Sequence, residues 1–105
     1  PFDEGARGGD VSFRVIPSGI DPRLLRIAHR SDAFDRSGIE EDRNLAFPLD
    51  RLAELEAAGE VRLAPRHLSF MGSITAPGRL VAGTARDAAD LLRSDGVGAA
   101  LLTPV

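Results

Sequence analysis

From Gly96 to Val105 the chain carries no charge. Gly96-Val97-Gly98-Ala99-Ala100-Leu101-Leu102-Thr103-Pro104-Val105 is an apolar run that follows Asp95 and a helix-ending glycine. A short run apolar at both alternate positions predicts a strand buried on two faces, as in the middle of a parallel sheet covered by helices. Such a strand must find neighbouring strands and covering helices upstream. The preceding residues are therefore read for that purpose.

Residues 1–10 hold three glycines and four charged residues, a loop composition that predicts a mobile segment. Val11, Phe13 and Val15 alternate with Ser12 and Arg14 as a half-buried edge strand, ended by Pro17-Ser18-Gly19. Leu24 to Ala28 reads as a second strand, followed by a polar stretch from His29 to Asn44 with a short helix around Ile39–Asp42. Pro48 opens a helix over 48–58, with Asp50 in its first turn, Leu49, Leu52 and Leu55 on one face and Gly59 as its stop. Val61–Ala64 reads as a short strand and Pro65–Gly83 as a long loop. Thr84 with Asp87 makes an acidic variant of the capping box, and Ala85, Ala88, Ala89 and Leu92 form the apolar stripe of a helix over 85–94.

Strand, helix, strand, helix, strand is the order of consecutive βαβ units with right-handed crossovers. The predicted fold is a single α/β domain over 1–105, Rossmann-like or flavodoxin-like. It would have three layers and a mostly parallel sheet with an edge strand, incomplete as it stands. Ile27, Leu52, Leu55, Ala88, Leu92 and Leu101 are the expected core. In such a sheet ligands sit at the carboxyl ends of the strands. That rule places His29 with Asp32, His67 with Ser69, and the end of the last strand on one rim.

Composition narrows the function classes. All 13 basic residues are arginines spread from Arg7 to Arg93, and net charge is −3, so no phosphate-binding stripe exists and nucleic acid is not an expected partner. No apolar run reaches the ~20 residues of a membrane span, and no charged-then-apolar leader precedes the domain, which makes the cytoplasm the expected location. Without cysteine there are no disulfides and no thiolate ligands in these residues. Gly5-Ala6-Arg7-Gly8-Gly9 and Gly96-Val97-Gly98 fail as dinucleotide loops, because neither follows a strand and opens a helix. Glu40-Glu41 reads as a solvated face. His29 and His67 match no short zinc motif, so no metal site is expected, and a metal-dependent hydrolase would need an ion held by both. A single histidine among apolar neighbours is more often a hydrogen-bonded packing residue than a ligand.

Four blocks occur in order: Phe13-Arg14-Val15-Ile16-Pro17; Asp42-Arg43-Asn44-Leu45-Ala46-Phe47-Pro48-Leu49-Asp50-Arg51-Leu52; His67-Leu68-Ser69-Phe70-Met71-Gly72; and Asp95-Gly96-Val97 with Leu101-Leu102-Thr103-Pro104-Val105. The series resembles the selenoprotein B family of the glycine/sarcosine/betaine and D-proline reductases, closest to the small proline-reductase-type subunit. The resemblance implies an oxidoreductase that reductively cleaves a C–N bond in an amino acid or amine. Its selenocysteine, or cysteine, is expected immediately after Val105, at the start of the next helix, where the positive helix end favours the anion. It further implies a pyruvoyl group on a partner subunit and a thiol or selenol protein as reductant. No cofactor is expected in this chain itself, which would be the amino-terminal portion of a longer subunit, inactive alone. His67, and secondarily His29, are the auxiliary candidates, His67 as a proton donor or hydrogen-bond donor to the selenolate. Asp32, Asp42, Asn44, Ser69, Met71, Gly72 and Thr103 are the substrate- or partner-facing candidates, Asn44 and Asp42 ordering the facing loop. The alternative is a non-catalytic module that docks a partner subunit, and an unpaired sheet edge also favours self-association.

Overall fold

Leu68 and Phe70 repeat at the same period of two as Phe13 and Val15, and the two segments pair. A computed structural model of the chain describes residues 1–104. Strand β1 (Phe13–Pro17) runs antiparallel to β2 (Arg66–Phe70), with Phe13 opposite Phe70, Val15 opposite Leu68 and Ile16 opposite His67. The pairing continues into the turn, where the Ser18 N–H donates to the Pro65 carbonyl at 3.0 Å. Because side chains alternate, Phe13, Val15, Leu68 and Phe70 share one face, and Ile16, His67 and Ser69 share the other. The Phe13 and Phe70 rings pack across the strands at 5.6 Å.

This two-stranded antiparallel ribbon replaces the expected three-layer parallel sheet. Residues 22–24 form a 3-10 turn rather than the start of a strand over 24–28, and 61–64 lead into β2 unpaired. Residues 98–102 form no ladder with any described segment, and Leu101 is 67% and Leu102 86% exposed. The expected long loop 65–83 contains β2 and, at Leu80–Thr84, a π-helical turn that feeds α3. A strand is defined by its partner, and no local pattern supplies one.

The helices follow their local signals. Helix α1 (Ser37–Glu41) is one turn, and a 3-10 turn at Arg43–Leu45 leads to α2 (Leu49–Ala57). Helix α3 spans Ala85–Ser94. Gly59 (φ 76°) and Gly96 (φ 71°) take the left-handed conformation past α2 and α3. The Glu60 N–H then reaches the Leu55 carbonyl at 3.0 Å and the Val97 N–H the Leu92 carbonyl at 3.1 Å, satisfying end carbonyls in a Schellman arrangement. Thr84 makes no side-chain cap, because the π-helical turn already supplies helical backbone before it. Asp95 stands at the carboxyl end of α3, where the helix dipole disfavours an anion. The Arg66 guanidinium offsets this with a fork, Nε to Oδ2 at 2.7 Å and Nη2 to Oδ1 at 2.8 Å, which ties β2 to α3. Its hydrogen bonds hold the Asp95 carboxyl below the usual range and raise Arg66.

The amino-terminal loop turns on Asp10, which accepts the N–H groups of Asp3 (2.8 Å) and Ser12 (2.9 Å). Gly9 (φ 99°) lies so close to the next loop that a Cβ would stand 2.9 Å from the Ile74 Cα.

Packing is thin. Leu49, Met71 and Ala88 are the buried apolar side chains among the described residues. Of the expected core, Ala88 is buried, Ile27, Leu52 and Leu92 are half-buried, and Leu55 and Leu101 are exposed. Accessible surface is 7449 Å², against about 5,700 Å² for a compact chain of this mass. The Cα radius of gyration is 14.7 Å, against about 13 Å. No helix among the described residues is long and apolar enough to cross a membrane.

Candidate functional site

The segment between α1 and α2 carries two of the polar candidates, Asp42 and Asn44, and organises itself. Asp42 Oδ1 accepts the Asn44 N–H at 2.9 Å and its side-chain amide at 3.0 Å. The same amide donates to Asp50 Oδ2 at 3.0 Å, and Asn44 Oδ1 accepts the Asp50 N–H at 3.1 Å. Asn44 thus bridges the turn to the first turn of α2, and its hydrogen bonds hold the Asp42 carboxyl below the usual range. Arg43 points the other way. Its Nη1 donates to the carbonyls of Pro22 and Leu25, the latter at 2.7 Å, clamping the 3-10 turn at Pro22–Leu24 against this segment.

Two more candidates converge here. The Thr103 hydroxyl donates to the Ala46 carbonyl at 2.9 Å, so the carboxyl-terminal segment folds back onto the turn that precedes α2. Phe47, the next residue, sets its ring edge-on to His67 with centroids 5.5 Å apart and planes at 81°. His67 Nε2 lies 3.1 Å from the Ser18 hydroxyl, which itself donates to the Ala64 carbonyl. With the serine proton committed, the imidazole must present Nε2–H to Ser18 Oγ, leaving the Nδ1 lone pair free of that bond. Burial disfavours the cation and lowers the His67 pKa. His67 is thus a neutral imidazole at neutral pH, able to accept a proton at Nδ1. Ser18 is not primed as a nucleophile, since an N–H rather than a lone pair faces it.

The other candidates lie apart from this cluster. Ser69 shares the His67 face of β2 and sits opposite Arg14. Met71 is 4% exposed, a core side chain at the end of β2, and Gly72 is exposed. His29 stacks on Phe34 at 3.9 Å and accepts the Ser31 N–H at Nδ1, while Asp32 is exposed. The parallel sheet expected to join these groups on one rim is absent among the described residues. Asp42, Asn44, His67 and Thr103 are instead gathered by the 42–50 turn and its neighbours. No three His, Cys, Asp or Glu side chains form a metal-ligand set among the described residues.

Sequence reasoning missed Ser18 and Arg43 as contributors. The turn residues Pro17-Ser18-Gly19 gave no reason to look 49 residues ahead to His67. Arg43 lay inside a distinctive block, but a clamp to two backbone carbonyls has no sequence signature.

Over 96 residues, 90% of this chain, the sequence is 33% identical to D-proline reductase subunit gamma of Acetoanaerobium sticklandii. The chain spans 39% of that protein's length. No family model and no solved structure matches it. The identity supports a relationship to the reductase family and makes the chain a homologue of part of a reductase subunit.

Proposed function

We propose that this chain is part of a reductase subunit of the D-proline reductase type that works in a multi-subunit assembly. It would act through a selenocysteine or cysteine following Val105. The observation that carries the reading is the homology to a reductase subunit, taken with the Thr103 hydrogen bond to the Ala46 carbonyl. That bond holds Thr103 against the turn that also carries Asn44 and Phe47.

Reductive cleavage replaces a C–N bond by C–H and N–H bonds and consumes two electrons and two protons. The electrons would come from a selenol or thiol pair, which ends as a selenenyl sulfide or disulfide. A pyruvoyl group on a partner subunit would hold the substrate amine, and a thiol or selenol protein would restore the reduced pair. Within this chain, His67 would accept a proton at Nδ1 from the selenol or thiol, and Ser18 would fix its tautomer. Asn44, with Asp42 and Asp50, would hold the facing turn, and Thr103 would anchor the approach. The second reading, a non-catalytic docking module, is favoured by the exposure of Leu101 and Leu102.

Gene sequence past the Val105 codon is the test. A UGA or Cys codon in a frame that stays open, with a further Cys within a few residues, is the expected result. An ordinary stop with no frame beyond it leaves the docking reading. In the extended protein, Cys at that position should be alkylated fast below the ordinary thiol pKa, and His67→Gln should slow that reaction.

A further inference from the structure

Residues 96–102 are fastened at both ends. At one end the Asp95 carboxylate, its side chain 8% exposed, accepts the Arg66 fork, and at the other the Thr103 hydroxyl donates to the Ala46 carbonyl at 2.9 Å. Each anchor adjoins one member of an aromatic pair. Arg66 precedes His67, Ala46 precedes Phe47, and the two rings meet edge-on at 5.5 Å. The contacts therefore close a circuit from His67 through Arg66 and Asp95, along the segment to Thr103, and back through Ala46 and Phe47. The link at Ala46 is stiff. The carbonyl that holds Thr103 and the Phe47 N–H, which donates to the Arg43 carbonyl at 2.9 Å, belong to one planar peptide group. Thr103 thus orients the peptide plane from which the Phe47 ring is carried.

We propose that Phe47 is a positioning residue that transmits the seating of Thr103 on Ala46 to the His67 imidazole. The half-buried ring shields one side of the imidazole. Burial, rather than a neighbouring charge, keeps His67 neutral, since Arg66 and Asp95 are paired with each other. When Thr103 is unseated, the peptide plane and the ring loosen, water reaches the imidazole, and its proton affinity rises. Phe47 and Thr103 thereby set how strong a base His67 is. The chemical use of that setting rests on the redox reading, in which His67 takes a proton at Nδ1; the coupling itself does not.

The test is NMR titration of the whole chain labelled with 13C and 15N in its two histidines, with His29, outside the circuit, as the internal control. Thr103→Val, at an exposed site, should raise the midpoint of the His67 Cε1–H signal by about 0.3–0.5 pH units and leave the His29 signal in place. The 15N shifts should still show the neutral ring protonated at Nε2, with the Ser18 bond intact. In a Phe47→Leu background the response to Thr103→Val should fall to under about half, and Phe47→Tyr, which keeps the ring, should preserve it. If Phe47→Leu fails to fold, cross-relaxation between the Phe47 ring and His67 protons takes its place and should weaken in Thr103→Val. An unmoved His67 midpoint in Thr103→Val overturns the coupling. An undiminished response in Phe47→Leu, or unchanged cross-relaxation, sends the coupling through the Arg66 end of the segment and overturns the role of Phe47. Equal movement of both histidine signals reports general loosening and overturns it too. The codon after Val105 decides the redox reading separately, so either can fail without the other.

Discussion

Replacing Leu49 by Ala removes a side chain that is 7% exposed at the start of α2, whereas Leu52 on the same helix is half-buried and Leu55 is 39% exposed. A well-enclosed Leu→Ala change costs about 2–5 kcal/mol, the transfer term plus a cavity term that grows when neighbours cannot collapse. Among the described residues only Met71 and Ala88 are comparably buried apolar side chains, and the surface is large for the mass, so the surroundings can relax. The expected cost is therefore in the lower half of that range, about 2–3 kcal/mol. Leu52→Ala should cost about 1 kcal/mol and Leu55→Ala under about 0.5 kcal/mol. The chain has no Trp or Tyr, so urea unfolding is best followed by far-UV circular dichroism. With a slope of about 1 kcal/mol per molar urea, the Leu49 change should lower the midpoint by about 2–3 M, provided the wild-type midpoint is at least that high. Equal shifts for Leu49→Ala and Leu55→Ala would refute the burial order and with it the placement of α2.

Burial holds His67 below its ordinary value of 6.5 in the folded state, so the unfolded chain binds the proton first as pH falls. The His67 contribution is fully present above about pH 6.5 and is lost below it until the folded imidazole protonates. His67→Gln should remove that part of the slope of urea midpoint against pH, and an unchanged slope counts against a neutral, Ser18-bonded imidazole. Gly9→Ala should destabilise by about 1 kcal/mol or more, because a left-handed φ and a 2.9 Å approach to the Ile74 backbone both oppose a Cβ. Gly19→Ala, with open space around it, serves as the near-neutral comparison in the same unfolding assay. Arg43→Gln should release the 22–25 turn, which trypsin reads as faster cleavage after Arg23 and Arg26 with cleavage after Arg93 unchanged. Equal rates at all three sites in wild type and variant would show that the clamp does not order the turn.

The sequence by itself determined the helices and where α2 and α3 stop, though not where α3 starts. Pro48, Asp50 and Gly59 bound α2, and Gly96 closes α3, because period, capping and left-handed glycine are all decided within a turn or two of chain. It also carried the resemblance that the D-proline reductase homology supports in part. Within the candidate site it marked Asn44, Asp42, His67 and Thr103 without saying what joins them. Tertiary structure alone decided the strands, because a ladder needs a partner whose distance along the chain leaves no local trace. Phe13–Pro17 pairs with Arg66–Phe70, read as loop because Leu68 and Phe70 give only two steps of alternation. The most strand-like run of all, 98–102, has no partner among the described residues and stays exposed. For the same reason the site is assembled by contacts over long separations, Thr103 to Ala46, Phe47 to His67 and His67 to Ser18. Such contacts are set by how segments pack rather than by what each segment prefers.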